Sequence, residues 1–237
     1  MAPVFTTRPE LKGTFGFVAS THWLASAAGM AMLERGGNAF DAAVAAGFTL
    51  HVVEPHMNGP GGDLVGLFHH AGSGTTQVLC GQGVAPAAAT PERYGDLGLS
   101  AVPGTGLLAA VVPGAVDAWL LMLRDYGTLD LETVLAPAIG YAADGYPLAP
   151  QVAGAIGAVA ALFRAHWPTS AAVYLQGGEA PANGRLMRNP ALADCYRRLL
   201  SEAGRGDRAD VIERARAARH ARCQRPRFAG PGRAGGI

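Results

Sequence analysis

Glu54-Pro55-His56-Met57-Asn58-Gly59-Pro60-Gly61-Gly62-Asp63 separates two kinds of sequence. Before it, Ala39–Val53 is an alanine- and valine-rich run that predicts a buried helix, apolar almost all round. After it, Leu64-Val65-Gly66-Leu67-Phe68 predicts a strand. Pro55 stops the helix, because proline has no N–H to give and pushes the residue before it away from the αR region. The glycines let the backbone turn sharply and come close to another group. A helix-to-strand turn of this composition can carry a site, although most such turns are only turns.

Upstream, Gly16-Phe17-Val18-Ala19-Ser20 is expected to open the fold as a short strand. Residues 24–35 place Leu24, Ala27, Ala28, Ala31 and Met32 on one face at helical spacing. Gly36-Gly37 ends that helix, and Asn38 caps the next, with Asp41 in its first turn. Downstream, Leu64–His70 and residues 77–80 are expected to form a hairpin closed by Ala71-Gly72-Ser73-Gly74. Pro91-Glu92-Arg93-Tyr94 opens a short helical turn, and Ala115–Tyr126 is amphipathic, with Val116, Trp119, Leu120 and Leu123 inward. Asp130 caps a helix to about Asp144, kinked at Pro137. Residues 150–163 form an alanine-rich helix, Asn189-Pro190 opens another to about Glu202, and residues 207–218 have helical composition.

The 237 residues fit one large domain or two small ones. At 49% hydrophobic and 16% charged the chain can bury a substantial core, and with only 7% aromatics that core is built from Ala, Val and Leu. The net charge of +1 hides an asymmetry: residues 197–237 hold eleven arginines against four acids, while the rest holds eight basic and fourteen acidic residues. Residues 219–237 have five arginines, two prolines, four glycines, no acid and no period. They read as a disordered or frameshifted basic tail on a body of residues 1–218. Phe228 is the tail's one aromatic, so no nucleic-acid contact is expected. Cys80, Cys195 and Cys223 lie far apart without a CxxC, which favours a reducing, cytoplasmic setting. No apolar stretch reaches the ~20 residues of a membrane span, so no membrane association is expected.

His51 and His56 flank Pro55 without HExxH spacing, and His69 and His70 alternate across a strand, so neither pair is expected to hold a metal. The chain lacks GxSxG and GxxxxGK[ST], and Gly59-Pro60-Gly61-Gly62 lacks the GxGxxG spacing. Taken residue by residue, the chain is a helix-rich α/β domain with a glycine turn and no complete catalytic constellation.

Several segments in order carry more. They are Gly36-Gly37-Asn38-Ala39-Phe40-Asp41-Ala42-Ala43-Val44-Ala45, Val53-Glu54-Pro55-His56 with Gly59-Pro60-Gly61-Gly62, Ala85-Pro86-Ala87-Ala88-Ala89-Thr90, Val112-Pro113-Gly114, Tyr126-Gly127-Thr128-Leu129, Asp144-Gly145-Tyr146 and Arg188-Asn189-Pro190-Ala191-Leu192. Together they resemble the N-terminal part of the large subunit of the γ-glutamyltransferase (γ-glutamyltranspeptidase) family, from about residue 16 to 202. The resemblance implies an α+β fold: part of the four-layer αββα sandwich of the N-terminal-nucleophile hydrolases, here a helix-rich fragment. It implies γ-glutamyl transfer or hydrolysis by a threonine at a new N-terminus, whose own amine can act as base. No cofactor and no metal is implied.

Two departures from the family pattern follow. Thr6-Thr7 and Thr75-Thr76 do not stand in the nucleophile's context, so no catalytic residue is assigned in this chain. The small-subunit portion of the sandwich is the missing partner, and the fragment is expected to be inactive alone. Typical members also place an arginine, for the substrate's α-carboxylate, three residues before the Ala-Pro that follows the second strand; here that position is Gln82. Gln82 is the expected substrate-binding residue for a small γ-glutamyl-like amide, able to donate hydrogen bonds but without the bidentate ion pair. The alternative is a non-catalytic subunit or binding protein that needs a separately encoded partner.

Overall fold

The computed structural model describes residues 11–223. Its centre is the apolar helix that precedes the glycine turn. Helix α1 (Trp23–Glu34) runs to Gly36, which takes a positive φ of 84° at the turn. Helix α2 (Ala39–Val53) starts in a capping box: the Asn38 side chain accepts from the Phe40 and Asp41 amides, and the Asp41 carboxylate accepts from the Asn38 amide. Val44, Ala45, Phe48 and Val53 are fully buried, because α1, α4 and α5 cover α2 from several sides. Close packing uses small residues: a Cβ on Gly29 would stand 2.9 Å from the Ala42 carbonyl, and one on Gly47 would stand 2.4 Å from the Trp119 ring.

Strands β1 (Leu64–His70) and β2 (Thr75–Gly81) pair antiparallel, Leu64 opposite Gly81 and His70 opposite Thr75. One face of this hairpin sets Phe68 against Phe40 and Tyr126. The other face leaves Leu67 75% and Val78 68% exposed. The expected strand over residues 16–20 is absent, since a strand needs a neighbour and none runs beside it among the described residues.

Helix α3 (Pro91–Asp96) and a 3₁₀ turn (Leu107–Ala109) lie in the connection to α4 (Ala115–Tyr126). Asp130 then caps α5 (Leu131–Asp144), which is continuous through Pro137 and ends at Gly145. The two-residue strands β3 (Tyr146–Pro147) and β4 (Leu186–Met187) bracket α6 (Pro150–His166) and α7 (Pro168–Tyr174). Helix α8 (Pro190–Ala203), capped by Asn189, packs on α5 and on α9 (Arg208–Cys223), and α9 also lies against α4.

Arginines fix α9 in place by bonding carbonyls in the last turns of α4 and α8 and a carboxylate on α4. Arg208 donates to the Leu123 and Arg124 carbonyls at the end of α4, both over 2.8 Å. Arg214 donates to the Ala203 carbonyl at the end of α8 over 2.6 Å. Arg216 forks onto Asp117 at 2.9 and 3.2 Å. The expected boundary after residue 218 falls inside α9, and residues 224–237, most of the expected tail, lie outside the described residues.

Candidate functional site

The chain leaves α2 around one carbonyl. The Met57 amide, the Asn58 amide and the Asn58 side chain all donate to the Glu54 C=O, over 3.0, 3.3 and 3.2 Å. The Glu54 carboxylate is buried and accepts a hydrogen bond from the Thr21 hydroxyl, which ties this exit to the loop before α1. Next comes the glycine turn, closed by the Gly62 amide on the Gly59 carbonyl at 3.0 Å.

Three other segments meet the turn. The Gly62 carbonyl accepts from the Gly114 and Ala115 amides, over 3.1 and 2.9 Å. Gly114 offers no side-chain cap, so the turn satisfies the free amides at the start of α4. Asp63 Oδ1 accepts the Gly83 amide over 2.9 Å, joining the turn to the loop after β2. From α9, Arg219 Nη2 donates to the Pro60 carbonyl over 2.7 Å.

The loop after β2 and the lead into α4 then lie backbone to backbone. The Val112 amide donates to the Val84 carbonyl over 2.9 Å. A Cβ on Gly83 would stand 1.9 Å from the Val112 oxygen, and one on Gly114 would stand 2.2 Å from the Gly81 oxygen. Only glycine permits that approach. Gln82 lies between these tight glycines with an exposed side chain, its Oε1 accepting from the Cys80 thiol over 3.7 Å. The braced backbone therefore presents a carboxamide to solvent, one residue from the amide that Asp63 holds.

Behind the turn, His51 Nδ1 and the Tyr196 hydroxyl lie 3.2 Å apart and both side chains are buried. Burial first, and then the Arg219 guanidinium, push the His51 pKa down to about 4. Burial pushes the Tyr196 hydroxyl up. His56 is exposed on the far side of Pro55, so the two histidines that flank this proline occupy different environments. On the hairpin, His69 Nδ1 lies 3.1 Å from Thr76 Oγ1, both exposed, while the His70 ring lies tilted against Tyr126, centroids 5.6 Å apart. Thr6-Thr7 lie outside the described residues.

Gln82 thus stands beside the glycine turn, in the loop where the sequence placed it. Sequence reasoning missed Asp63 and Arg219. Asp63 was visible as the acid that closes the glycine run, but its partner lies twenty residues on. Arg219 gave no sequence signal, being 159 residues from the carbonyl it holds.

Comparison with known proteins places this geometry in context. The gamma-glutamyltranspeptidase family profile matches residues 25–208. The chain is 40% identical over 194 residues to the glutathione hydrolase-like YwrD proenzyme of Bacillus subtilis, covering 81% of this chain and 36% of that protein. It is 38% identical over 195 residues to the oxamate amidohydrolase proenzyme of Klebsiella pneumoniae, covering 80% and 36%. Among solved structures, LmbA2991HD superposes with a TM-score of 0.83 at 58% identity, over 89% of this chain and 36% of that one. The gamma-glutamyltranspeptidase of Helicobacter pylori superposes with a TM-score of 0.75 at 32% identity, over 86% and 60%. The chain spans about a third of the length of the two curated relatives. The fold is that of these proteins: a helix-rich, α+β part of the αββα N-terminal-nucleophile hydrolase sandwich.

Proposed function

The chain belongs to the γ-glutamyltranspeptidase family, and from that premise we propose that it supplies the substrate-facing N-terminal portion of an amide-cleaving enzyme of the N-terminal-nucleophile type. The whole enzyme attacks a small γ-glutamyl-like amide with the threonine that self-cleavage exposes, and passes the acyl group to water or an amine. Gln82 faces the acyl group of the substrate. The observation that carries this reading is the loop that holds Gln82: fixed by the Asp63 bond and by glycine contacts on both sides, it presents one polar side chain outward. Such bracing suits a group that must meet a substrate in one geometry.

A carboxamide there makes neutral hydrogen bonds where an arginine would make a charged fork. The whole enzyme therefore favours acyl groups without a free α-carboxylate at that point more than an arginine-bearing relative does. In the enzyme of full family length, Gln82→Arg should raise kcat/KM for a γ-glutamyl amide over its descarboxy analogue by roughly 5- to 150-fold, corresponding to about 1–3 kcal/mol for a charge-assisted pair. An equal change for both substrates would show that Gln82 does not face that group.

The 237-residue chain alone is inactive in this reading, because none of its threonines stands in the nucleophile's family context. Pure chain incubated with a chromogenic γ-glutamyl amide should release no product above the heat-treated control. Reproducible turnover would sink the assignment of the nucleophile to a portion outside this chain.

A further inference from the structure

We propose that Arg219 is a positioning residue for the substrate-binding loop, acting through the glycine turn and Asp63. The proposal rests on the reading of Gln82 as the substrate-facing group, and it adds what holds that group in place. The connection is continuous. Arg219 Nη2 holds the Pro60 carbonyl at 2.7 Å. Two residues on, the Gly62 carbonyl takes the first amides of α4. The next residue, Asp63, takes the Gly83 amide, and Gly83 adjoins Gln82. A turn of glycines and a proline has no large side chain to anchor it, so its conformation depends on what its carbonyls bond.

The place of Arg219 fits such a role better than that of a simple structural contact. Its side chain passes Tyr196 and Leu199 in a small cavity under the turn that Pro60, Val116 and Cys195 also line. Its Nε is buried there without a hydrogen-bond partner among the described residues. A buried unpaired donor is costly, and an apolar side chain would pack there without that penalty. The guanidinium adds the bond to Pro60, in a cavity that the Glu202 side chain also lines. Its reach across the cavity also connects α9, the last described helix, to the turn after α2.

Residue-resolved amide exchange on the 237-residue chain tests this without substrate. Arg219→Ala should speed exchange at Gly62, Gly83 and Gly114 at least tenfold, while the amides in the middle of α2, such as Phe48, stay within twofold. Arg219→Lys, which keeps one donor, should recover much of the protection. Asp63→Ala should expose Gly83 while leaving Gly62 protected. The proposal is overturned if Arg219→Ala leaves Gly62 and Gly83 unchanged, or if it speeds all of these amides and Phe48 by the same factor, which would make Arg219 a general stabiliser of α9. It is equally overturned if Asp63→Ala leaves Gly83 protected, or if Arg219→Lys recovers nothing. Should the alanine variant not fold, the lysine and Asp63 variants decide it. None of these outcomes touches the Gln82→Arg specificity result, so the two ideas fail separately.

Discussion

Two pressures act on the His51 ring in the same direction: burial, and a guanidinium nearby. Both favour the neutral imidazole, so its pKa in the folded state, about 4, lies below the ordinary 6.5. The unfolded chain therefore binds a proton between those values that the folded chain refuses. Stability from this residue is complete above pH 6.5, falls as the pH drops toward 4, and levels off below that. The full loss is on the order of 3 kcal/mol. Glu213 works in the same sense: hydrogen bonding by Arg124 holds its carboxyl below the usual range, so acid removes its contribution too. Urea midpoints measured from pH 7.5 to 4 should thus slope downward, and His51→Gln should flatten the slope between 6.5 and 4 without abolishing it. An unchanged slope in that variant would show that His51 is not its source.

At the scale of elements, one carboxylate joins three of them. Asp41 is fully buried and accepts hydrogen bonds from the Asn38 amide, the Thr128 amide and hydroxyl, and the Leu129 amide. It thereby caps α2 and fastens the link between α4 and α5. The glycines beside it are part of the same joint: a Cβ on Gly127 would stand 2.6 Å from Asp41 Oδ1. Asp41→Asn puts an NH₂ where donors already point, and should cost on the order of 3 kcal/mol, read as a lower urea midpoint with an unchanged m-value. A loss under ~0.5 kcal/mol would show that the carboxylate is not the joint. Elements of this kind were legible in the sequence because their ends carry local chemistry. Asn38, Asp130 and Asn189 each mark a helix start with a side chain that bonds an amide two or three residues on. The role of Asn38 with Asp41 in the first turn could be read the same way, whereas the far partners of Asp41 could not. The short strands β3 and β4 and helix α7 escaped notice for the converse reason. The strands are two residues each and exist only through pairing across about forty residues, and α7 has no side-chain cap.

Across the whole molecule, the described residues form one connected core, and two of the apolar regions it leaves uncovered lie on the hairpin and along α2. One is the outer hairpin face with Leu67 and Val78. The other is an apolar cleft of about 550 Å³ along α2, bounded by Phe15, Phe17 and Trp119. The candidate site was legible in part: the glycine turn could be picked out from its own glycines, whereas Gln82 was picked out only by the resemblance to the family pattern before Ala85-Pro86. The brace around them was not, because it is made of contacts between distant segments. Asp63 reaches Gly83, the turn reaches the start of α4, and Arg219 reaches Pro60 from 159 residues away. That last span has a consequence for the order of events during synthesis. The glycine turn leaves the ribosome early, yet the arginine that holds it is translated on the order of ten seconds later at ordinary elongation rates. Throughout that interval the turn, and the loop it supports, must remain without their final clasp, so the loop that carries Gln82 is among the last of the described segments to reach its native geometry.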